Sequence, residues 1–192
     1  MKRSEINQAW RLAREAFARA GWALPPNPRI DITDLGLGRF REVGLVLVNL
    51  TEEPEYCEKL MFSRHRQVAP LHSHKVKKED IICRHGRLTL ELWPRHPRQS
   101  DIGEPVTLRR NGVDFTCAAG EPFTLAAGER VTLVPGVYHA FQAASDEGCV
   151  IGEVSTANDD ANDNFFVDPG IGRFPGIVED EPAEVRLVGE QP

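Results

Sequence analysis

The sequence predicts an all-β domain, either a sandwich or a closed barrel, preceded by one N-terminal helix. From about residue 30 onward, apolar residues alternate with polar ones at the period of a half-buried strand. These stretches are short, rich in β-branched and aromatic residues, and bounded by Gly, Pro, Asn or Asp. Many short strands separated by turn residues, with no helical stretches between them, are typical of sandwiches and barrels and exclude an α/β fold.

The predicted helix covers residues 4–20. Ser4 suits the N-cap, and Gly21 follows where a left-handed glycine commonly ends a helix. Apolar residues recur at helical spacing at Ile6, Trp10, Ala13 and Phe17. We therefore divide the chain into residues 1–30, a helix with a proline-rich connector, and residues 31–192, the β domain with a C-terminal tail.

The predicted strands come at regular intervals through the second part of the chain. They cover residues 43–50, 58–64, 87–93, 104–110, 122–127, 129–135, 138–144 and 149–155. From residue 159 the tail is acidic and rich in turn residues, and the proline-broken stretch 171–182 predicts no regular element.

Composition narrows the classes of function. The 192 residues contain 41% apolar and 27% charged residues, which is ordinary for a globular protein, and the net charge is −6. This acidic balance predicts no nucleic-acid partner, and no apolar run approaches the length of a membrane span. The four cysteines are widely spaced and no signal peptide is recognisable, so we expect reduced thiols in a cytoplasmic protein.

A candidate metal site begins with the stretch HSHKVKKED. His72 and His74 lie two residues apart, so on one strand both side chains point to the same face. Glu79 follows after a short basic stretch that can turn the chain back, and we expect Gly86 to close the β-hairpin that starts with IICRH. His139 follows a Pro-Gly turn on what we expect to be a neighbouring strand. Three imidazoles and one carboxylate suit Mn²⁺, Fe²⁺, Ni²⁺ or Zn²⁺ and leave positions open for substrate oxygens.

These motifs resemble the cupins, small β-barrels of jelly-roll type. The pattern of HxH, four residues, Glu, six residues and Gly86 is similar to their first motif, and the turn before His139 is similar to their second. Arg66 stands where the cupin motif has a glycine. The resemblance implies a cupin-type jelly-roll barrel with the N-terminal helix as an extension.

Further segments resemble one cupin family, the D-lyxose isomerases, over nearly the whole chain. These segments are ITDLGLGRF, EKLMF, HSHKVKKEDII, GEVSTANDD and IGRFPGIVEDEP, in the family's order. The resemblance implies isomerisation of D-lyxose to D-xylulose and of D-mannose to D-fructose. It also implies one divalent metal ion per chain, preferably Mn²⁺ with Fe²⁺, Co²⁺, Ni²⁺ or Zn²⁺ as alternatives, held by His72, His74, Glu79 and His139.

The same resemblance implies that Lys59, Lys77, Glu153 and Asp163 line the sugar pocket. Moving a proton between C1 and C2 needs a carboxylate, and we expect Glu153 to be that base. Lys77 or Lys59 would stabilise the developing negative charge, with Lys77 the preferred catalytic lysine. Lys59 and Asp163 would bind the substrate, with Asp163 orienting its hydroxyls.

Three alternatives remain open from sequence. An Fe²⁺ dioxygenase would use the same metal ligands but would not need the second carboxylate, Glu153. A non-catalytic sugar-binding or regulatory cupin would require a DNA-binding or sensor module, and 192 residues with one predicted helix leave no space for a helix-turn-helix. A sugar-phosphate isomerase would need basic residues in the pocket, which Arg64, Arg66 and Arg84 could provide. We expect a homodimer, chiefly because the resemblance to cupins implies one, and also because the helix and the sheet edges offer apolar surface.

Overall fold

A computed structural model of the chain describes residues 1–172 and 176–190. One long helix and thirteen strands account for its regular structure, together with two short 3₁₀ turns. The elements are α1 (Arg3–Arg19), β1 (Arg29–Thr33), β2 (Leu45–Glu52), β3 (Tyr56–Ser63), β4 (Val68–Ser73), β5 (Glu79–His85), β6 (Arg87–Trp93), β7 (Pro105–Arg110), β8 (Val113–Ala118), β9 (Phe123–Ala126), β10 (Arg130–Leu133), β11 (Tyr138–Ala143), β12 (Cys149–Thr156) and β13 (Phe165–Phe166). The predicted all-β domain with an N-terminal helix is confirmed.

The strands form two antiparallel sheets that face each other. The larger sheet has the order β1-β2-β3-β12-β5-β10-β7-β8, and the smaller has the order β13-β4-β11-β6-β9. The main core lies between them. Leu88, Leu90 and Leu92 of β6 are buried completely and belong to the same apolar cluster as Ile81 and Cys83 of β5. Burial of alternate residues is what allows each strand to cover the core with one face.

Helix α1 packs against the outer face of the larger sheet. Its apolar residues, Ile6, Ala9, Trp10, Ala13, Ala16 and Phe17, form a second cluster with Val46, Val48, Leu60, Phe62 and Val150. The apolar face that was expected to help a dimer form is therefore covered within the same chain. Among the described residues, no helix is long and apolar enough to cross a bilayer.

The start of α1 differs from the prediction. The helix begins at Arg3 with Lys2 as its N-cap, and the Ser4 hydroxyl instead donates a hydrogen bond to Asp180, 2.7 Å away. The sequence could not show this because the partner lies 176 residues further along the chain. The predicted glycine at the other end is confirmed, since Gly21 has φ = 76°.

Gly86 was expected to close a β-hairpin, and that expectation is wrong. β5 belongs to the larger sheet and β6 to the smaller, so the turn at Gly86 carries the chain from one sheet to the other. Gly86 has φ = +85°, and a Cβ atom there would lie 2.7 Å from the carbonyl oxygen of Gly148. Both the backbone conformation and the close approach require glycine.

Several short elements were not predicted from the sequence. β1, β4, β5, β8 and β13 lie outside the listed strand ranges, although His72 and His74 were expected to lie on one strand. The Asn111-Gly112 turn joins β7 and β8 as a hairpin. β13 forms because the chain after β12 returns to pair with β4, although this stretch is rich in turn residues. The proline-broken stretch 171–182 contains no strand or helix within its described part, residues 171–172 and 176–182.

Candidate metal centre and adjoining cavity

The four expected metal ligands converge between the two sheets. His72 lies on β4, His74 follows the end of that strand, and His139 on β11 is the cross-strand partner of His72. Glu79, the first residue of β5, reaches them from the larger sheet. One ligand atom from each of the four residues lies within 4.8 Å of the others, so the group could hold one metal ion.

Each imidazole is oriented by a main-chain carbonyl. Nδ1 of His72 donates to the carbonyl oxygen of Pro70 (2.8 Å), Nδ1 of His74 donates to that of Asp163 (2.5 Å), and Nδ1 of His139 donates to that of Val137 (3.3 Å). Only a protonated nitrogen can donate to a carbonyl, so the lone pair of each neutral ring is on Nε2. Such hydrogen bonds are the usual way in which proteins orient metal-binding histidines.

The Nε2 atoms of His74 and His139 and the Oε1 atom of Glu79 are placed so that they could bind one cation. Oε1 of Glu79 lies 3.0 Å from Nε2 of His139 and 3.3 Å from Nε2 of His74. All three atoms are buried, and none has a hydrogen-bond partner in the part of the chain described. When the two rings are neutral, all three atoms present lone pairs to the same buried point, where a bound cation would satisfy them.

The protonation states also suit a metal. Burial lowers the pKa of His72 well below its usual value, and the neighbouring His139 lowers it further, so the imidazole is neutral. Burial alone would raise the pKa of Glu79, but contacts with His139 and His74 and the charge of Lys77 lower it well below its usual value. Neutral imidazoles and an ionised carboxylate are the forms that bind divalent metal ions.

A network of ion pairs adjoins the metal centre. Nζ of Lys77 lies 2.9 Å from Oε2 of Glu79 and 3.2 Å from Oε1 of Glu153. Nζ of Lys59 lies 3.4 Å from the same oxygen of Glu153 and 3.2 Å from Oδ2 of Asp160. Burial alone would lower the pKa of both lysines, but chiefly the Glu153 carboxylate raises it, so both remain charged. Glu153 is therefore held between two ammonium groups, one of which also contacts a metal ligand.

The strands explain this arrangement. Glu153 on β12 is the cross-strand partner of Lys59 on β3, so both side chains point into the same space between the sheets. Lys77 enters that space from the turn between β4 and β5. Lys59, Lys77 and Glu153 are each at most 6% exposed. Buried charges of this kind are stable only when they are paired, as these are.

A cavity of about 590 Å³ opens beside the metal centre. Its polar side is formed by His72, Glu79 and His139 together with Lys59, Lys77, Glu153, Asp160 and Asn164. Its apolar side includes Leu45, Leu47, Met61, Phe141 and Phe166. Phe166 also lies beside His72, with ring centroids 5.1 Å apart. One polar side next to a metal site and one apolar side are typical of a small-molecule pocket.

Asp163 lies elsewhere than expected. It is not among the described residues that line the cavity, and both of its carboxylate oxygens accept hydrogen bonds from main-chain N–H groups of residues 75–77. Asp160 and Asn164, from the same run of Asn and Asp, line the cavity instead. The sequence signal was the run itself, but spacing along an irregular segment cannot tell which carboxylate faces the pocket.

The arginines considered for phosphate binding do not line the cavity. Arg64, Arg66 and Arg84 are absent from its described lining, and the two lysines there are already paired with carboxylates. Arg66 instead occupies a turn with φ = 61°, the conformation that glycine usually adopts. The described lining therefore contains no cluster of free basic groups.

Comparison with known proteins agrees with this geometry. Residues 29–191 match the family model described as D-lyxose isomerase. The chain belongs to the D-lyxose isomerase family.

Similar members of the D-lyxose isomerase family come from several bacteria. The chain is 36% identical to the D-lyxose/D-mannose isomerase of Serratia proteamaculans, with 99% of this chain and 97% of the relative covered. It is 34% identical to the protein of the same name from Escherichia coli O157:H7, covering 99% and 98%. It is 30% identical to the D-lyxose ketol-isomerase of Cohnella laeviribosi, covering 90% and 97%.

Solved structures of L-ribose isomerases share the fold. The enzyme from Geodermatophilus obscurus aligns with a TM-score of 0.65 at 18% identity, covering 88% of this chain and 94% of that one. The enzyme from Acinetobacter sp. DL28, crystallised with L-ribose as the mutant E204Q, aligns with a TM-score of 0.64 at 17% identity, covering 89% and 94%. At this identity the likeness concerns the fold alone.

Proposed function

We propose that this protein is a metal-dependent aldose–ketose isomerase that interconverts D-lyxose and D-xylulose, and also D-mannose and D-fructose. The observation that carries the proposal is Glu153, a second buried carboxylate held beside a four-residue metal centre inside one cavity. The names of the relatives, which are D-lyxose/D-mannose isomerase and D-lyxose ketol-isomerase, support this choice of sugars.

We propose one Mn²⁺ ion per chain, held by His72, His74, Glu79 and His139. Three nitrogens and one carboxylate oxygen also suit Fe²⁺, Co²⁺, Ni²⁺ or Zn²⁺. We prefer Mn²⁺ because it readily binds oxygen ligands, so sugar hydroxyls could join the four protein ligands. When bound, the ion would supply Lewis acidity that polarises the oxygens at C1 and C2 and so makes the neighbouring C–H group more acidic.

The chain's own residues would carry the proton. We assign Glu153 as the base that removes a proton from C2 of the aldose and returns it to C1, while the hydroxyl proton on O2 passes to O1, so that the intermediate is an enediol. Lys77 holds Glu153 and Glu79 in place by contacting both, and its positive charge would stabilise negative charge developing on the sugar oxygens. The apolar side of the cavity would exclude water from the reacting atoms.

We assign substrate binding to Lys59 and Asp160. Lys59 keeps its ammonium group charged through its contacts with Glu153 and Asp160, and sugar hydroxyls can accept its hydrogen bonds. Asp160 lines the cavity and its side chain is half exposed, so its carboxylate can accept hydrogen bonds from sugar hydroxyls. This assignment replaces Asp163 as the carboxylate that orients the substrate.

The experiment that tests this function follows conversion of D-lyxose by NMR in D₂O, with metal-stripped protein before and after addition of Mn²⁺. We expect D-xylulose only after metal is added, with deuterium at its C1, because the proton passes through an exchangeable carboxylate. If neither D-lyxose nor D-mannose is converted while one metal ion per chain is bound, the isomerase proposal fails. O₂ consumption by the Fe²⁺-loaded protein would then point to a dioxygenase.

We further propose a cytoplasmic homodimer. The four cysteines are free thiols in the structure, as expected of a reducing compartment. Tyr56 and Val154 are diagonal neighbours on the outer face of the larger sheet and are 49% and 38% exposed, so a second copy could cover them. Light scattering after size-exclusion chromatography should give twice the chain mass, and Val154→Lys should reduce it. A monomeric wild-type protein would contradict the dimer.

A further inference from the structure

The segment 157–172, which follows β12 and contains β13, contacts the metal centre and the cavity at the same time. We call it the strap. We propose that Asp163 is a positioning residue through which the strap sets the orientation of both His74 and Lys77. This inference rests on the proposed function, because it gives Asp163 a part in the metal centre and in catalysis.

The Asp163 carboxylate binds one turn of main chain. Its Oδ1 accepts a hydrogen bond from the N–H of Lys75 (2.7 Å), and its Oδ2 accepts one from the N–H of Lys77 (2.8 Å). The N–H of Val76 lies between them, 3.2 Å from Oδ1 and 3.1 Å from Oδ2. Three consecutive N–H groups therefore point at the carboxylate of Asp163, a residue that is only 8% exposed. Hydrogen bonds to an ionised acceptor are stronger than neutral ones, so this turn is firmly held.

The main chain of the same residue orients a metal ligand. The carbonyl oxygen of Asp163 accepts the hydrogen bond from Nδ1 of His74 at 2.5 Å. His74 immediately precedes the turn that the carboxylate holds. Asp163 thus fixes the His74 ring through its carbonyl and the following backbone through its side chain, and the two contacts together leave Nε2 of His74 directed at the other metal ligands.

The turn ends at Lys77, whose ammonium group joins the metal centre to the proposed base. Lys77 contacts Glu79 at 2.9 Å and Glu153 at 3.2 Å, while its own N–H is bound by Asp163. A shift of this backbone would move the ammonium group relative to both carboxylates. Such a displacement would slow the reaction, because proton transfer depends on the placement of the reacting groups.

The strap also lines the cavity through Asp160, Asn164 and Phe166. The same segment therefore contacts the sugar-binding space on one side and holds the His74–Lys77 turn on the other. Within the described part of the chain, the hydrogen bonds that this carboxylate accepts come from main-chain N–H groups. A carboxylate is required there because an amide would present N–H donors to at least one of these N–H groups.

The test uses the full-length protein with Asp163→Asn, and Asp163→Ala as a second variant. Asp159→Asn is the matched control, since it removes the same charge from the strap at an exposed side chain whose hydrogen bonds, among the described residues, go to Asn162. Gly112→Ala controls for destabilisation, because Gly112 lies in a distant turn with φ = +80° and open space around it. All variants are compared at a temperature where each is folded by circular dichroism.

Three measurements are made on each variant: amide hydrogen exchange of residues 75–77 in metal-free protein, Mn²⁺ affinity of the metal-free protein by calorimetry, and kcat and KM for D-lyxose with saturating Mn²⁺. For Asp163→Asn we expect amide exchange about tenfold faster at residues 75–77. We expect Mn²⁺ affinity to fall about tenfold or more, as is usual when the groups that orient metal ligands are changed. We expect kcat to fall more than KM rises, whereas the two controls leave all three quantities near wild type.

Unchanged Mn²⁺ affinity and unchanged kcat in folded Asp163→Asn would overturn the inference and leave Asp163 a purely structural residue. A rise in KM alone would also overturn it, because that result would make Asp163 a substrate contact. Failure of the proposed function gives a different pattern, in which wild-type protein itself shows no turnover of D-lyxose or D-mannose. Metal affinity and amide exchange would still test the positioning role in that case.

Discussion

At the scale of single residues, the role of each carboxylate follows from what its oxygens contact. Glu79 and Glu153 are both buried and share Lys77, but Glu79 faces three imidazoles and Glu153 faces the cavity and two lysines. Asp163 is almost as buried, yet its oxygens are fully used by main-chain N–H groups. Of these three carboxylates, Glu153 is the one that is buried, paired with lysine, lines the cavity and is not among the four expected metal ligands, which makes it the candidate base.

Replacing Glu153 by Gln should abolish isomerisation without loss of metal. We expect kcat to fall by about 10² to 10⁴-fold, the usual contribution of a general base. Metal content should stay at one per chain, because none of the metal ligands is altered and Lys77 keeps Glu79 as a partner. Turnover and metal content are measured on the same preparation.

The matched control for this prediction is Glu58→Gln. Glu58 is the neighbour of Lys59 on β3 and lies opposite Val154, so it points away from the cavity. We expect near wild-type kcat for this variant. If Glu153→Gln retained turnover at the level of Glu58→Gln, another group would have to move the proton.

At the scale of elements, the turn between β5 and β6 determines how the two sheets are connected. Glu79 starts β5 in the larger sheet, while β6 pairs with the strand of His139 in the smaller sheet. Between β5 and β6 the chain therefore changes sheets across the single residue Gly86. The positive φ of Gly86 and its close approach to Gly148 leave no room for a side chain at this turn.

Gly86→Ala should therefore destabilise the protein more than Gly112→Ala does. Both glycines have φ between 80° and 85°, so both variants lose about 1 kcal/mol or more from the left-handed backbone. At Gly86 the added Cβ would also lie 2.7 Å from the carbonyl oxygen of Gly148, which adds about 1 to 3 kcal/mol, whereas at Gly112 it meets nothing within 4 Å. Urea unfolding measures both, and equal losses would contradict this explanation.

At the scale of the whole molecule, the metal centre and the chain ends each join parts that are distant in sequence. His72 and His139 lie on strands of the smaller sheet, and His74 directly follows one of these strands. Glu79 lies on a strand of the larger sheet. A bound ion would therefore connect the two sheets across the core. At the opposite face, the described part of the tail, residues 176–190, docks on α1 and does not line the main cavity.

Removing the metal should lower the melting temperature of the protein. A ligand present at about 100 times its Kd stabilises the folded state by about 2.7 kcal/mol, which is about 5 to 10 °C for a chain of this size. Calorimetry before and after chelation, and after Mn²⁺ is returned, measures the shift. His139→Ala should show no shift with Mn²⁺; a shift of equal size in this variant would mean that the ion binds elsewhere.

The ion pairs between Arg3 and the tail should stabilise the protein more at neutral than at acid pH. Arg3 is buried and donates to Glu179 and Glu190, which lowers the pKa of both carboxyls. A carboxyl whose pKa is lowered by folding contributes stability above its unfolded pKa of about 4.3 and loses it as pH falls through the folded value. Arg3→Met should therefore lower the free energy of unfolding clearly at pH 7 and much less near pH 3.

Arg11→Met is the control for this pH dependence. Arg11 pairs with Glu184 at the surface, and exposed pairs contribute little to stability. Its free energy of unfolding should stay close to wild type at both pH values. A deficit of Arg3→Met that is as large at pH 3 as at pH 7 would show that packing of the arginine stem, and not its charge, holds the tail.

The sequence by itself determined the features that depend on local periodicity. The helix at residues 4–20, most of the strands, and the HxH spacing that directs His72 and His74 to one side all follow from which face of an element each residue occupies. The four residues that could hold the metal were identified in this way, together with their resemblance to one family.

The tertiary structure decided what depends on contacts between distant parts of the chain. It showed that Gly86 changes sheets, that Ser4 bonds to Asp180, and that Asp160 rather than Asp163 lines the cavity. Asp163 lies 86 to 88 residues from the main chain that it binds, and the run of Asn and Asp around it has no regular period. Side-chain direction in such a segment is set by the hydrogen bonds that burial makes obligatory, and these can be read only once the partners are in place.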